Sequence, residues 1–268
     1  MANEVAKTNT NAVAQSDDLT AKLSALGAQP ELVARAVRAA NNLALIENPR
    51  LPRIKAATTG LLLDASNPDD EPVQELQGVI IFGAKYKAWY KDKYDKENKM
   101  PPNCFSHTGR TPDADSAEPQ AKACKGCPKN EFETADVGTG KACRDMRRLF
   151  ILVNYKPGEE PIMPMQLNVT PTSLKAFDEY LSRLVMYGYQ YDEVQTKITA
   201  RQKSRDDKYC VLSFAKGDNY SGDAATLGNL RALKTLWLPQ MERGHVDHED
   251  MEEPAKQPEK AAAPSGEF

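Results

Sequence analysis

Cys104-Phe105-Ser106-His107, Cys124-Lys125-Gly126-Cys127 and Gly140-Lys141-Ala142-Cys143 hold four of the chain's five cysteines, spaced C-x19-C-x2-C-x15-C. Between them lie mostly Gly, Pro, Asp, Lys and Thr, which cannot form a core. Such a segment needs another source of order. A tetrahedral zinc ion supplies one, because thiolates are soft ligands and a C-x2-C pair reaches one metal through a tight turn. The expected ligands are Cys104, Cys124, Cys127 and Cys143, with His107 as the alternative to Cys104. Four protein ligands leave no open position, so one structural zinc is expected. The zinc-deaminase pattern needs Glu two residues after the His, and Gly109 stands there. Free cysteines and a disulfide framework are the weaker readings, since nothing marks the chain as exported.

Upstream, Val79 to Tyr90 alternates as a strand. Ile80, Phe82, Ala84, Tyr86, Ala88 and Tyr90 share one face; on the other, Val79 and Ile81 give way to Lys85, Lys87 and Trp89. Lys91, Lys93, Tyr94 and Lys96 continue the pattern. Cations that meet phosphates, beside rings that stack on bases, suit single-stranded nucleic acid. A solvated lysine face with one surface Trp is the plainer alternative.

Downstream, Arg147 to Tyr155 is apolar on both faces at its centre and reads as a buried strand, followed by a short one from Ile162 to Val169. A helix runs from Thr170 or Ser173 to Gly188, with Leu174, Phe177, Leu181, Leu184 and Val185 as its stripe. A hairpin comes next. Val194, Thr196, Ile198 and Ala200 face one way, and Gln195, Lys197, Thr199 and Arg201 the other. Its turn spans 203–208, and the return strand points Cys210, Leu212 and Phe214 inward, so Cys210 is a buried hydrophobe. Helices are expected at Pro30–Ile46 and at Asp223–Met241, the latter interrupted by Pro239. Ile54–Leu63 reads as the first strand.

The order strand, strand, cysteine insertion, strand, helix, strand, strand predicts an α+β chain, mainly β. It is that of an OB-fold barrel with a zinc-binding insertion at about 100–146, flanking helices and disordered tails. Residues 1–29 are expected as a disordered arm, 30–241 as the core and 242–268 as an acidic disordered tail. OB-folds bind ligands on strands 2 and 3, between the loops joining strands 1–2 and 4–5. The second strand here carries Lys85, Lys87 and Trp89; the 4–5 loop carries Lys203, Arg205 and Lys208. The expected phosphate contacts are Lys85, Lys87, Lys91, Lys197, Arg201, Lys203 and Arg205, and the expected stacking rings are Trp89, Tyr86, Tyr90 and Tyr94.

Pro101-Pro102-Asn103-Cys104, Cys124-Lys125-Gly126-Cys127-Pro128-Lys129-Asn130 and Gly140-Lys141-Ala142-Cys143-Arg144 resemble motifs of phage-type single-stranded-DNA-binding proteins. Over roughly 76–215 the plan is similar to that of the helix-destabilising proteins of T-even phages, where a zinc subdomain sits within an OB-fold and an acidic tail follows. The resemblance implies a non-enzymatic protein that binds and protects single-stranded DNA in phage or mobile-element replication or recombination, in the host cytoplasm. That family's ligand set of one His and three Cys keeps His107 open beside Cys104.

The net charge of −3 hides an asymmetry: from Glu242 onward eight acids face three bases. The chain ends Gly266-Glu267-Phe268. Acids followed by a terminal Phe resemble the tails by which single-strand binders recruit replication or recombination proteins, which makes Phe268 a candidate partner-binding residue. No apolar run is long enough to span a bilayer, and Met1-Ala2-Asn3-Glu4 does not open a signal peptide. Of three histidines, His245 and His248 lie in the tail, which argues against an open catalytic metal site. The alternative function is a zinc-stabilised inhibitor or adaptor of a host factor that binds no nucleic acid.

Overall fold

The computed structural model describes residues 17–243, apart from 48, 58, 65, 66, 68, 93–99, 137 and 204–208. Lys93, Tyr94, Lys96, Arg205, Lys208, residues 1–16 and residues 244–268 with Phe268 therefore lie outside the described residues, while Glu242 and Arg243 of the expected tail close a helix instead. The helices are α1 (17–25), α2 (Pro30–Leu43), α3 (Pro171–Met186) and α4 (Ala224–Arg243). The strands are β1 (Arg53–Ala56), β2 (Leu62–Asp64), β3 (Glu75–Trp89), β4 (Cys104–Ser106), β5 (Arg144–Val153), β6 (Met165–Val169), β7 (Val194–Gln202) and β8 (Cys210–Asn219).

The strands form one sheet in the order β2-β1-β6-β5-β3-β7-β8, with β4 also paired to β3. It curls into a half-barrel, an OB-like arrangement with flanking helices. Long β3 makes this possible. Its first five residues pair with β7 and its last three with β4, while β5 runs along its other edge.

Both sheet faces are covered. Inside the curl, Ile80, Leu149, Ile151, Leu167, Ile198 and Phe214 pack together, sealed by Phe177, Tyr180 and Leu184 of α3. Outside, Val79, Ile81, Phe150 and Leu152 meet Leu230, Leu233 and Trp237 of α4 and Leu32 of α2. A strand covered on both faces needs no alternation, which is why Leu149-Phe150-Ile151-Leu152 is an unbroken apolar run. Glu160, buried after β5, ties these helices to the sheet. Its carboxylate accepts from Asn229 Nδ2 of α4 at 2.8 Å, and its carbonyl accepts from Arg35 of α2 at 2.7 Å.

Several expectations need correction. The Ile54–Leu63 strand is two short strands, β1 and β2, forming a hairpin that joins the sheet edge through parallel pairing of β1 with β6. The barrel count therefore starts at β3 and continues through β5, β6, β7 and β8. The cysteine insertion lies between the first and second barrel strands, and α3 between the third and fourth. Residues 17–25 of the expected disordered arm form α1 instead: Leu23 packs against Val33, Ala36 and Ala232, with Leu19 and Leu26 beside it. Those leucines recur at helical spacing. Helix α4 runs on through Pro239, with Trp237 and Met241 buried on either side of it. Val185 is exposed, and the buried stripe of α3 is Ser173, Phe177, Tyr180 and Leu184.

One close approach fixes the helical layer. A Cβ on Gly228 of α4 would meet the Gly27 carbonyl oxygen well inside contact distance. Gly228→Ala is expected to push α4 off the turn between α1 and α2 and lower stability by about 1–3 kcal/mol. Denaturant titration reads this, and an unchanged midpoint would show that the two segments do not meet.

Candidate metal site and nucleic-acid interface

Local geometry gathers the four cysteines. Cys104 opens β4, opposite Trp89. Gly126 takes φ +76°, letting Cys124 to Cys127 turn back so that the Cys127 amide faces the Cys124 carbonyl. Asn130 closes the turn, its side chain donating to the Cys124 carbonyl at 3.0 Å. Cys143 is drawn in by its amide, which donates to the Lys129 carbonyl at 2.7 Å. Among the described residues no three His, Cys, Asp or Glu side chains stand close enough, as placed, to hold a metal ion. All four cysteines nonetheless line one cavity, with Lys87, Phe105, Ser106 and Asn130 around them. Its volume of about 20 Å³ admits roughly one water-sized sphere.

Burial pushes the Cys143 thiol up to about 12 and the Cys124 thiol upward. Burial thus favours the thiol over the thiolate at both, and a metal would have to displace their protons. His107 is not part of the cavity lining. Its Nδ1 lies 2.9 Å from Asp113 Oδ2, and its ring meets Tyr86 and Phe105 edge-on. Cys210 sits in the inner core, away from the other four.

The strand-face expectation changes at one point. The register of β3 against β5 steps between Ile80 and Phe82, so a bulge switches the alternation. Ile80 packs inside the curl and Phe82 outside. Lys85, Lys87 and Trp89 therefore continue the inner face, and Tyr86, Ala88 and Tyr90 the outer one.

Exposure then sorts the expected contacts. Trp89 is 8% exposed, with Lys129 Nζ 5.1 Å from its ring centre, and Tyr86 is fully buried with the Arg148 guanidinium at 3.6 Å. Neither ring face is open to a base as placed, which corrects both as stacking platforms. Tyr90 is half-buried, with Arg144 over its ring. Lys87 is committed to Asp145 and to Asn130 Oδ1, clamping the insertion to the barrel. Burial pushes the Asp145 carboxyl up, but Lys87 and Lys141 hold it below the usual carboxylate range. Lys91 pairs with Glu118 at 3.2 Å and Lys197 with Glu75 at 2.8 Å. Lys85, Arg201 and Lys203 are exposed, Lys203 lying over the Tyr209 ring. Sequence reasoning missed Arg147, directly across from Lys85 on β5, and Arg110 in the insertion. The signal for Arg147 was the antiparallel register, hidden until the bulge was known.

Comparison with protein-family models, with curated proteins and with solved structures finds no match to this chain.

Proposed function

We propose that the chain is a non-enzymatic single-stranded-DNA-binding protein, of the kind phages and mobile elements use in replication or recombination, with one structural zinc. The observation that carries the reading is the place of the four-cysteine insertion. It fills the connection between β3 and β5, the first and second strands of an OB-like half-barrel, and the connection from β7 to β8 joins the fourth and fifth. Those two loops frame the ligand in OB-folds. Lys85 near the insertion, and Arg201 and Lys203 at the end of β7, are exposed cations for phosphates.

The donor set fits zinc. Four thiols around a cavity of ion size favour a soft metal over Mg²⁺ or Ca²⁺, which take oxygen ligands. Cys104, Cys124, Cys127 and Cys143 would hold it, and it would pin the insertion beside β3 without taking part in any reaction. The acidic segment after Arg243, ending in Phe268, would serve as the recruiting surface for replication or recombination proteins.

Titration of fluorescent single-stranded and duplex oligonucleotides tests the reading. Single strands of varied sequence are expected to bind in preference to duplex, with affinity falling steeply as salt rises. Equal affinity for duplex, or no binding at low salt, would reject it and leave an inhibitor or adaptor of a host factor as the better account.

A further inference from the structure

We propose that Lys85, Arg147 and Arg110 form an anion site for one phosphate group where the insertion meets the barrel; the reading rests on the proposed function, in which that phosphate belongs to a single strand's backbone. The sheet register carries it. Lys85 of β3 stands directly opposite Arg147 of β5, so two cations share one face at adjacent positions. Like charges directly opposite each other destabilise a sheet. The next pair along the same face, Lys87 against Asp145, is complementary and closed into an ion pair. The ladder is thus matched at one step and mismatched at the next.

The insertion brings the backbone of a third basic residue, Arg110, up to the mismatched step. Gly109 takes φ +70° and lies against Lys85: a Cβ there would stand 3.1 Å from Lys85 Cβ. Arg110, the next residue, is exposed, and its carbonyl accepts from the Cys124 amide at 2.8 Å. Its backbone is therefore anchored to a metal-site residue beside the Lys85 stem. Among the described residues neither Lys85 nor Arg110 makes an ion pair. Arg147 donates to the Met146 carbonyl at 3.3 Å, and the carboxylate it faces is Asp178, 3.8 Å away and 58% exposed. That contact is too long and too wet to neutralise Lys85 and Arg147 together. Gly83, two residues before Lys85 on the same face, is exposed and has no side chain to obstruct a ligand. A phosphate diester supplies two non-bridging oxygens sharing one negative charge, which the cluster lacks, and guanidinium is the group best shaped to take them.

Two measurements test this. In salt titrations of an oligothymidylate, Lys85→Gln, Arg147→Gln and Arg110→Gln are each expected to weaken binding. If the three share one phosphate, their combination should lower the log–log salt slope by about 0.7. Asp178→Asn should act in the opposite direction, tightening binding at low salt by freeing Arg147. If Asp178→Asn instead weakens binding as Arg147→Gln does, the pair is a structural brace and the site is overturned. The second measurement needs no DNA. Inorganic phosphate is expected to raise the melting temperature of the wild-type chain but not of the Lys85→Gln/Arg147→Gln variant. A phosphate response lost in that variant, in a chain that binds no single strand, would support the anion site and reject the DNA reading. An unchanged salt slope and an unchanged phosphate response in the variants would overturn the site and leave the DNA reading intact.

Discussion

Serine at both Cys124 and Cys127 is expected to leave the purified chain without zinc, where the wild type is expected to hold about one per molecule, and to unfold residues 100–143 while the barrel persists. The asymmetry follows from how each part is held. The half-barrel has two large apolar clusters, one on each face. The insertion rests on a small one, in which Phe105 meets Tyr86, Ala88 and Met146 of β3 and β5. Beyond the β4 pairing and the Lys87–Asn130 and Lys91–Glu118 contacts, its order comes from hydrogen bonds on short loops: Ser106 Oγ donating to the Thr111 carbonyl, Ser116 Oγ to that of Phe105, and the Glu118 amide to that of Asn103. Hydrogen bonds contribute only about 0.5–1.5 kcal/mol each, whereas a structural zinc supplies on the order of 10–16 kcal/mol of apparent binding free energy. Loss of the proposed zinc is therefore expected to remove most of what orders the segment. Metal analysis together with amide hydrogen exchange reads this: protection should vanish over 100–143 and remain over β5 to β8. Because the Arg110 backbone hangs on Cys124, single-strand affinity should fall as well. Stoichiometric zinc retained by the double variant would reject the site.

The legible parts of the fold were those with a strong local period. The hairpin of β7 and β8 alternates cleanly, and Val194, Ile198 and Ala200 indeed point inward. Helix α3 begins at a proline and ends before Gly188, whose φ of +74° stops it. The cysteine spacing pointed to one metal cluster; the four residues line one cavity, but among the described residues no three potential ligands stand close enough to hold a metal ion. What stayed hidden depends on partners far away in sequence. A bulge between Ile80 and Phe82 leaves no mark in composition, because Ile81 is as apolar as its neighbours and both faces there are buried. Alternation read straight through it placed Ile80 and Tyr86 on one face, and they lie on opposite ones. Charge pairing was equally invisible. Lys87 looked like a groove cation until its partner, Asp145, arrived from 58 residues away. The rings of Trp89 and Tyr86 looked available until Lys129 and Arg148 were found over them.

Trp89→Ala turns that last difference into a measurement. If Trp89 stacked on a base, its loss would cost about 1–3 kcal/mol of binding and leave the fold untouched. A Trp that is 8% exposed, opposite Cys104 on the paired strand and covered by Lys129, is instead part of the wall holding the insertion. Truncating a buried aromatic to alanine costs roughly 3–5 kcal/mol, from lost burial and the cavity left behind. The expected result is a lower melting temperature and faster removal of zinc by a chelator, with the salt slope of DNA binding unchanged because no phosphate contact is lost. Trp89→Phe should recover most of the chelator resistance, since it keeps an aromatic ring beneath Lys129. Fluorescence gives an independent check. The other tryptophan, Trp237, is 1% exposed between α4 and the sheet, so a Trp237→Phe background isolates Trp89. Its emission should respond to zinc removal far more than to saturating oligonucleotide. Strong quenching by the oligonucleotide, with stability and zinc retention unaltered in Trp89→Ala, would return Trp89 to the binding surface.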